Sequence, residues 1–172
     1  MTPRKELPIA SDDLSAIAEA LVEGLIRKGK TLSTAESCTG GLLAKLVTDI
    51  SGASGVFPGG IVSYQNEIKM SLLGVPKEII DRETEVSAEC AKAMADRAAE
   101  KFATDYALST TGYAGPGGGT KEHPVGTVYL GFHTPDHTNV VCIACPNATR
   151  DDVRKTAAQT ALSMLLLELG KE

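Results

Sequence analysis

Short strand-like runs that end in small hydroxyl or glycine residues alternate with helical runs along this chain, and that alternation limits the fold more than any other feature. Leu14, Ile17, Leu21 and Leu25 recur at helical spacing, so residues 12–28 are predicted to form an amphipathic helix that stops near Gly29. Residues 31–36 then read as a short strand. Thr39 or Gly40 opens a helix to about residue 50, with Leu43, Leu46 and Val47 on its inner face. Residues 60–64 read as a second strand, after which Asn66 caps a helix reaching Leu73. Pro76 suits the first turn of a small helix, and Ser87 caps a longer one ending near Phe102. Residues 106–111 give a third strand, and residues 126–133 and 140–144 form a hairpin across a polar turn containing Pro135 and Asp136. Thr149-Arg-Asp-Asp152 spells a capping box for a last helix to Glu168. Repeated βα units that close on a hairpin predict an α/β fold, a three-layer α/β/α sandwich around a mixed, mostly parallel sheet.

Composition narrows the function classes. At 172 residues the chain suits one domain over 1–172, with residues 1–11 as a flexible tail. A domain of that size buries about 70% of its unfolded surface, so its core needs no disulfide staples. The net charge of −5 and a pI near 5.3 run against a nucleic-acid partner, which calls for a basic face. With 4% aromatics and no Trp, the composition runs against base-stacking platforms as well. The first ten residues carry charges with no apolar run behind them, unlike a signal peptide. The most apolar stretch, around Met164-Leu-Leu-Leu167, is far shorter than a membrane span, so no membrane partner is expected. Four cysteines without a secretion signal read as reduced thiols, which places the chain in the cytoplasm.

Three segments carry chemistry, each at the C-terminal end of a predicted strand, the edge where open α/β sheets bind ligands. In Ala35-Glu-Ser-Cys-Thr-Gly-Gly41 a strand runs into small hydroxyl residues and then into glycines at a helix start. Such a turn exposes backbone N–H groups suited to an anion or a developing oxyanion, although a Ser/Thr helix cap would read the same. In Tyr64-Gln-Asn-Glu-Ile-Lys69, an Asn66 cap puts Lys69 at the third helical position, where a cation opposes the helix dipole. The same field favours the neutral amine that a general base requires. The dipole supplies about 0.3–1 kcal/mol, whereas lowering a lysine into the catalytic range takes roughly 3–5 kcal/mol, so burial or a second cation must supply the rest. A solvated surface lysine is the plainer alternative. Thr111-Gly-Tyr-Ala-Gly-Pro-Gly-Gly-Gly-Thr120 is a glycine-rich loop able to lay its backbone on a ligand, or simply a flexible loop. It is neither a P-loop nor a Rossmann fingerprint, because Gly-Lys-Ser/Thr is missing and a strand follows. Arg150 opens the final helix, where its guanidinium and free N–H groups suit a phosphate.

Cys142-Ile-Ala-Cys145 invites a zinc reading, but residues three apart on a strand point to opposite faces, and no second Cys-x-x-Cys completes a set. No metal site and no cofactor are expected.

Together these segments resemble the C-terminal domain of the CinA (competence/damage-inducible) family, which includes nicotinamide-nucleotide amidases. The matching residues are Thr34-Ala-Glu-Ser-Cys-Thr-Gly-Gly41, Tyr64-Gln-Asn-Glu-Ile-Lys69, Thr111-Gly-Tyr-Ala-Gly-Pro116, Pro124-Val-Gly-Thr-Val128 and Arg150-Asp-Asp-Val-Arg154. The resemblance spans roughly residues 12–168. It implies deamidation of nicotinamide mononucleotide to nicotinate mononucleotide and ammonia, in pyridine-nucleotide recycling. Ser37 matches the family's nucleophile and Lys69 its lysine. Tyr64 is expected to hold the lysine's amine or relay its proton to the leaving ammonia, and Cys38, Thr39, Gly40, Thr111, Gly112, Gly115 and Arg150 to contact substrate. The resemblance further implies a homo-oligomer. This chain has Asn147-Ala-Thr149 where the family commonly has a glycine and a small polar residue, and His123 where a lysine is common. Longer family members carry an extra N-terminal domain for which these residues leave no room, so its activities are not transferred. Two other classes fit the same segments, a nucleotide-sensing module and a competence- or damage-related interaction module.

Overall fold

The computed structural model describes residues 13–171, so the tail expected over residues 1–11 lies outside the described residues. Five strands form one sheet: β1 (Leu32–Glu36), β2 (Gly59–Val62), β3 (Tyr106–Gly112), β4 (Thr127–His133) and β5 (Thr138–Ala144), in the order β2-β1-β3-β4-β5. β1 pairs parallel with β2 and β3, while β3–β4 and β4–β5 are antiparallel. Four of the five strands thus run the same way, with β4 reversed by the hairpin. Among the described residues the α-helices are α1 (Leu14–Lys28), α2 (Leu42–Thr48), α3 (Asn66–Ile68), α4 (Lys77–Glu83), α5 (Ala88–Phe102) and α6 (Arg150–Leu169). The fold is α/β, with helices on either side of a mixed sheet. Among the described residues no helix is long and apolar enough to cross a membrane.

The alternation of strand side chains assigns the faces. Leu32, Tyr106, Leu108, Val128 and Leu130 point into a core with Leu21, Leu25, Leu43, Leu162 and Leu165 from α1, α2 and α6. Ala35 and Ala107 point the other way, toward Met94, Ala98 and Ala99 of α5. Those small residues bring α5 close to the sheet. Ser109 Oγ donates to the Ala91 carbonyl at 2.6 Å, and a Cβ at Gly131 would sit 2.5 Å from that same oxygen.

Strand order places the working edge. Chain connections leave β1 toward β2 on one side and return to β3 on the other, so the C-terminal ends of β1, β2 and β3 lie side by side where the topology switches. Ser37, Tyr64 and Gly112 all emerge there.

Local differences from the sequence reading have physical causes. α2 starts at Leu42 rather than at residue 39 or 40, because Gly40 and Gly41 take left-handed φ values of 64° and 102°. Glu36 turns back into the helix entrance: its carboxylate accepts from the amides of Gly41 (3.0 Å), Leu43 (3.0 Å) and Ala44 (2.8 Å) and from the Thr39 hydroxyl (2.7 Å). The open N–H groups expected of this turn are therefore largely taken by the chain's own carboxylate. β2 ends at Val62, because the next carbonyl, that of Ser63, accepts from a lysine instead of a ladder partner. Asn66 is not the helix cap. Gln65 holds that position with no side-chain cap, and the Asn66 amide reaches to Glu85.

Glu36→Gln offers a single carbonyl acceptor and turns an NH2 donor toward backbone donors. It should lower stability by about 1–3 kcal/mol, the cost of buried donors left unsatisfied. Urea unfolding midpoints of the two proteins measure this.

Candidate active site

A cavity of about 440 Å³ opens at the switch point, within the roughly 300–1,000 Å³ usual for small-molecule sites. Ser37 follows β1 directly, and its amide donates to the Thr110 carbonyl at 2.9 Å, which fixes the first residue of the turn to β3. Arg154, one helical turn beyond Arg150 on α6, donates from Nε to the Cys38 carbonyl at 2.8 Å and fixes the second.

Lys69 arrives from the far side. α3 provides one short turn and then widens into a π-helical turn over Lys69–Leu73, so Lys69 sits one position later than an Asn66 cap would put it. Its side chain is 1% exposed, and Nζ lies 3.0 Å from Ser37 Oγ and 3.1 Å from the Ser63 carbonyl. Burial pulls the Lys69 amine below the ordinary lysine value, against weaker opposing pulls from Cys90, Glu85 and Cys38. Three residues of helix contribute little dipole, so burial supplies the shift. Glu36 is absent from the groups acting on Lys69, as its carboxylate is turned into α2.

The remaining sequence-predicted residues separate into two groups. Cys38, Tyr64, Thr111, Gly112, Gly115 and Arg150 line the cavity with Ser37 and Lys69. Thr39 and Gly40 do not. The Thr39 hydroxyl donates to Glu36 and accepts from Thr110 at 2.7 Å, so its work is to order the turn. Gly40 faces the Arg154 guanidinium. Cys38 packs into the core, and burial raises its thiol to about 11, which leaves it a poor nucleophile at neutral pH. The amides of Cys38 and Thr39 meet no oxygen acceptor among the described residues.

Among the described residues Tyr64 makes no hydrogen bond to the lysine. It is 55% exposed, and its hydroxyl accepts from Arg150 Nη2 at 2.6 Å across the cavity mouth. Arg150 Nη1 donates to the Gly115 carbonyl at 2.6 Å, so one guanidinium ties α6 to the end of β2 and to the glycine-rich loop. The capping box of Thr149 and Asp152 sets that arginine at the first position of α6. Two of its five N–H donors are spent, and three remain for a ligand. The Thr111 hydroxyl is buried and donates to the Glu85 carbonyl rather than into the cavity.

Gln65, Glu85 and Tyr113, to which the sequence reading gave no role, also line the site, as does Asn66, read there as a cap. Arg154 was signalled by its spacing, since residues four apart on a helix share a face with Arg150. Glu85 had no local signal, because only the fold brings the loop before α5 to the end of β3. Among the described residues no three His, Cys, Asp or Glu side chains gather as a metal site.

The family model described as "CinA C-terminal domain" matches residues 14–169. A CinA-like protein from Desulfotalea psychrophila is 44% identical over 153 residues, covering 89% of this chain and 37% of the relative. One from Myxococcus xanthus is 46% identical over 153 residues, covering 89% of this chain and 36% of its own length. This chain spans little more than a third of the length of these relatives. Among solved structures, a competence-damaged protein (CinA) superfamily protein from Escherichia coli shares 31% identity and a TM-score of 0.88, covering 95% of both chains. A competence/damage inducible protein from Agrobacterium tumefaciens shares 34% identity and a TM-score of 0.88, covering 97% of this chain and 99% of the other.

The Lys69 shift carries a stability signature. Between its lowered folded value and the 10.5 of an ordinary lysine, the unfolded chain holds a proton that the folded chain does not, so stability rises with pH through that window. Lys69→Met lacks this contribution. The stability of the variant minus that of wild type should therefore fall as pH rises toward 10.5, at up to about 1.4 kcal/mol per pH unit. Chemical denaturation of both proteins across neutral to alkaline pH reads the slope.

Proposed function

The chain belongs to the CinA C-terminal domain family, and from that premise we propose that it is an amidohydrolase that converts nicotinamide mononucleotide to nicotinate mononucleotide and ammonia. One observation carries the reading: a buried lysine, pulled toward its neutral form, lies 3.0 Å from a serine hydroxyl at the floor of a cavity of small-molecule size. A nucleotide sensor or a competence- or damage-related interaction module needs no such pair.

The chemistry follows from the donors and acceptors. A neutral amine has two N–H bonds and one lone pair. With one N–H given to the Ser63 carbonyl, the lone pair is free to face the Ser37 hydroxyl. Lys69 takes the hydroxyl proton while Ser37 Oγ bonds to the carboxamide carbon, and the carbonyl electron pair moves onto oxygen. The backbone N–H groups of Cys38 or Thr39, in the turn that follows the nucleophile, are the donors for that oxyanion. The Lys69 ammonium then gives its proton to the nitrogen as the C–N bond breaks, and ammonia leaves an ester on Ser37. Water adds to the ester as Lys69, neutral again, accepts its proton. Collapse returns that proton to Oγ and frees the acid. Arg150 and the amides of the glycine-rich loop are the groups for the 5′-phosphate.

Purified protein should release ammonia from nicotinamide mononucleotide, and Ser37→Ala should abolish it. Lys69→Arg should be nearly inactive at neutral pH, because a guanidinium does not deprotonate. Ammonia release by Ser37→Ala at the wild-type rate would overturn the nucleophile, and by Lys69→Arg the base.

Arg150→Ala should raise KM about ten- to hundredfold for the nucleotide, as expected for a lost charged hydrogen bond, and far less for the phosphate-free riboside. An equal loss with both would confine Arg150 to holding Tyr64 and Gly115 in place.

A further inference from the structure

Among the described residues Glu85 is the one carboxylate lining the cavity, and neither the fold nor the proposed reaction accounts for it. It sits in the turn between α4 and α5, and that turn is built with care. Thr84 holds a φ of 71°, a conformation that a residue with a Cβ rarely adopts. Its hydroxyl accepts from the Val86 amide at 3.3 Å, and its carbonyl accepts from the Ser87 hydroxyl at 2.9 Å. The buried Thr111 hydroxyl donates to the Glu85 carbonyl and pins the turn to the end of β3. The backbone of Glu85 is thus fixed from three residues, and its side chain is aimed at the cavity.

The carboxylate itself is poorly provided for. Asn66 Nδ2 reaches Oε2 at 3.4 Å and the Tyr113 hydroxyl reaches Oε1 at 3.4 Å, both long contacts from neutral donors. Burial, the Glu85 charge and that hydrogen bond all raise the Tyr113 phenol, so it stays a donor. Glu85 makes no ion pair among the described residues. The two cations lining the cavity are engaged elsewhere, Lys69 with Ser37 and Ser63 and Arg150 with Gly115 and Tyr64. A half-buried carboxylate with only long, neutral contacts has capacity for a positive charge.

Its position beside the lysine sharpens the point. The Glu85 charge pulls Lys69 toward ammonium, against the chemistry proposed for it. A carboxylate there works against an empty site, and ceases to do so once a cation covers it.

The geometry points to Glu85 as the residue that selects a cationic ring: with the carboxamide carbon at Ser37, the carboxylate faces the positively charged pyridinium and separates it from uncharged carboxamides. This assignment rests on the proposed amidase reading. In a pyridinium-3-carboxamide the charged nitrogen is only a few bonds from the carboxamide carbon, so a ring bound at Ser37 brings its charge within the same cavity. The ring nitrogen carries a sugar and no N–H, so it is recognised by facing charge and not by a hydrogen bond. The cation also offsets the field of Glu85 on Lys69, so that the correct substrate, and not an uncharged one, relieves the hold on the base.

The test uses nicotinamide mononucleotide and its ring-reduced dihydropyridine form, which keeps the phosphate, sugar and carboxamide but loses the charge. KM and calorimetric Kd are measured for wild type, Glu85→Gln and Glu85→Asp. Turnover numbers are set aside, since ring reduction also changes the carbonyl. Wild type should bind the cationic form more tightly. Glu85→Gln should weaken it about ten- to hundredfold while leaving the reduced form within about twofold, and Glu85→Asp should recover part of the preference. Equal weakening of both ligands, or an unchanged preference, would overturn the assignment, as would binding of neither nucleotide by wild type. If both ligands bind but neither yields ammonia, the amidase reading falls, and the calorimetric preference still decides the role of Glu85.

Discussion

The end of the sheet is organised around one carboxylate that takes no part in the proposed chemistry. Glu36 is 1% exposed, and its oxygens gather three backbone amides and the Thr39 hydroxyl. Free amides at a helix entrance are donors in need of an acceptor, and a buried carboxylate is an acceptor in need of several donors. Each solves the other's problem. The consequence reaches the candidate site, because the turn from Ser37 to Gly41 is the chain between the carboxylate and the amides it binds. Closing that loop leaves Ser37 at the cavity floor, with its amide on Thr110. The same closure turns the Glu36 carboxylate into the entrance of α2 and leaves the amine beside Ser37 without it as a partner.

Lysine as a base sets a demand opposite to that of histidine in a Ser-His-Asp site. There the aspartate holds the histidine's orientation and supports its charged form. A lysine begins with too high a proton affinity, so a close carboxylate would leave it charged and useless. Here the orienting partner is instead a neutral carbonyl, that of Ser63, and the downward shift comes from exclusion of water. The π-helical turn over Lys69–Leu73 is part of this arrangement: Lys69 is buried at its start and Leu73 at its end, so the turn works as a plug behind the amine. A core position spent on an amine costs stability near neutral pH, the common trade at sites that do chemistry.

The sequence reveals the sheet and its working edge more fully than the site itself. Strand alternation, caps and the closing hairpin are local, and they place the residues after β1, β2 and β3 at one edge. Pairing of Ser37 with Lys69 is not local. The two are 32 residues apart, and in the sequence they are joined by resemblance alone. Asn66 looks like a cap because its type suits one, yet a side chain able to reach Glu85 leaves that role to Gln65. Thr111 reads as a ligand contact and proves to hold a turn, since whether a hydroxyl faces a cavity or a carbonyl depends on a segment 26 residues away. The role of Glu36 was within reach. It shares a strand face with Leu32 and Thr34, the face that α2 covers, so a carboxylate there had to meet the entrance of that helix.

The charges around the cavity then fall into an order that distance and burial explain. Glu36 is held at close range by three backbone amides and the Thr39 hydroxyl at the entrance of α2. Lys69 is the buried amine and makes no ion pair with a carboxylate among the described residues. Arg150 lies at the rim, half-buried, with donors to spare, and Glu85 lies in the wall with acceptors to spare. A ligand that satisfied all of these would carry an anion at one end, a delocalised cation nearer the wall, and an uncharged electrophile at the floor. A carboxamide nucleotide with a pyridinium ring has that sequence of charges along a single molecule. Because the three groups come from separate elements, the loop before α5, the start of α6 and the turn after β1, their spacing is set by the packing of helices on both sheet faces. Recognition of such a ligand therefore depends on the whole fold, while the proposed bond-breaking step depends on one serine and one amine.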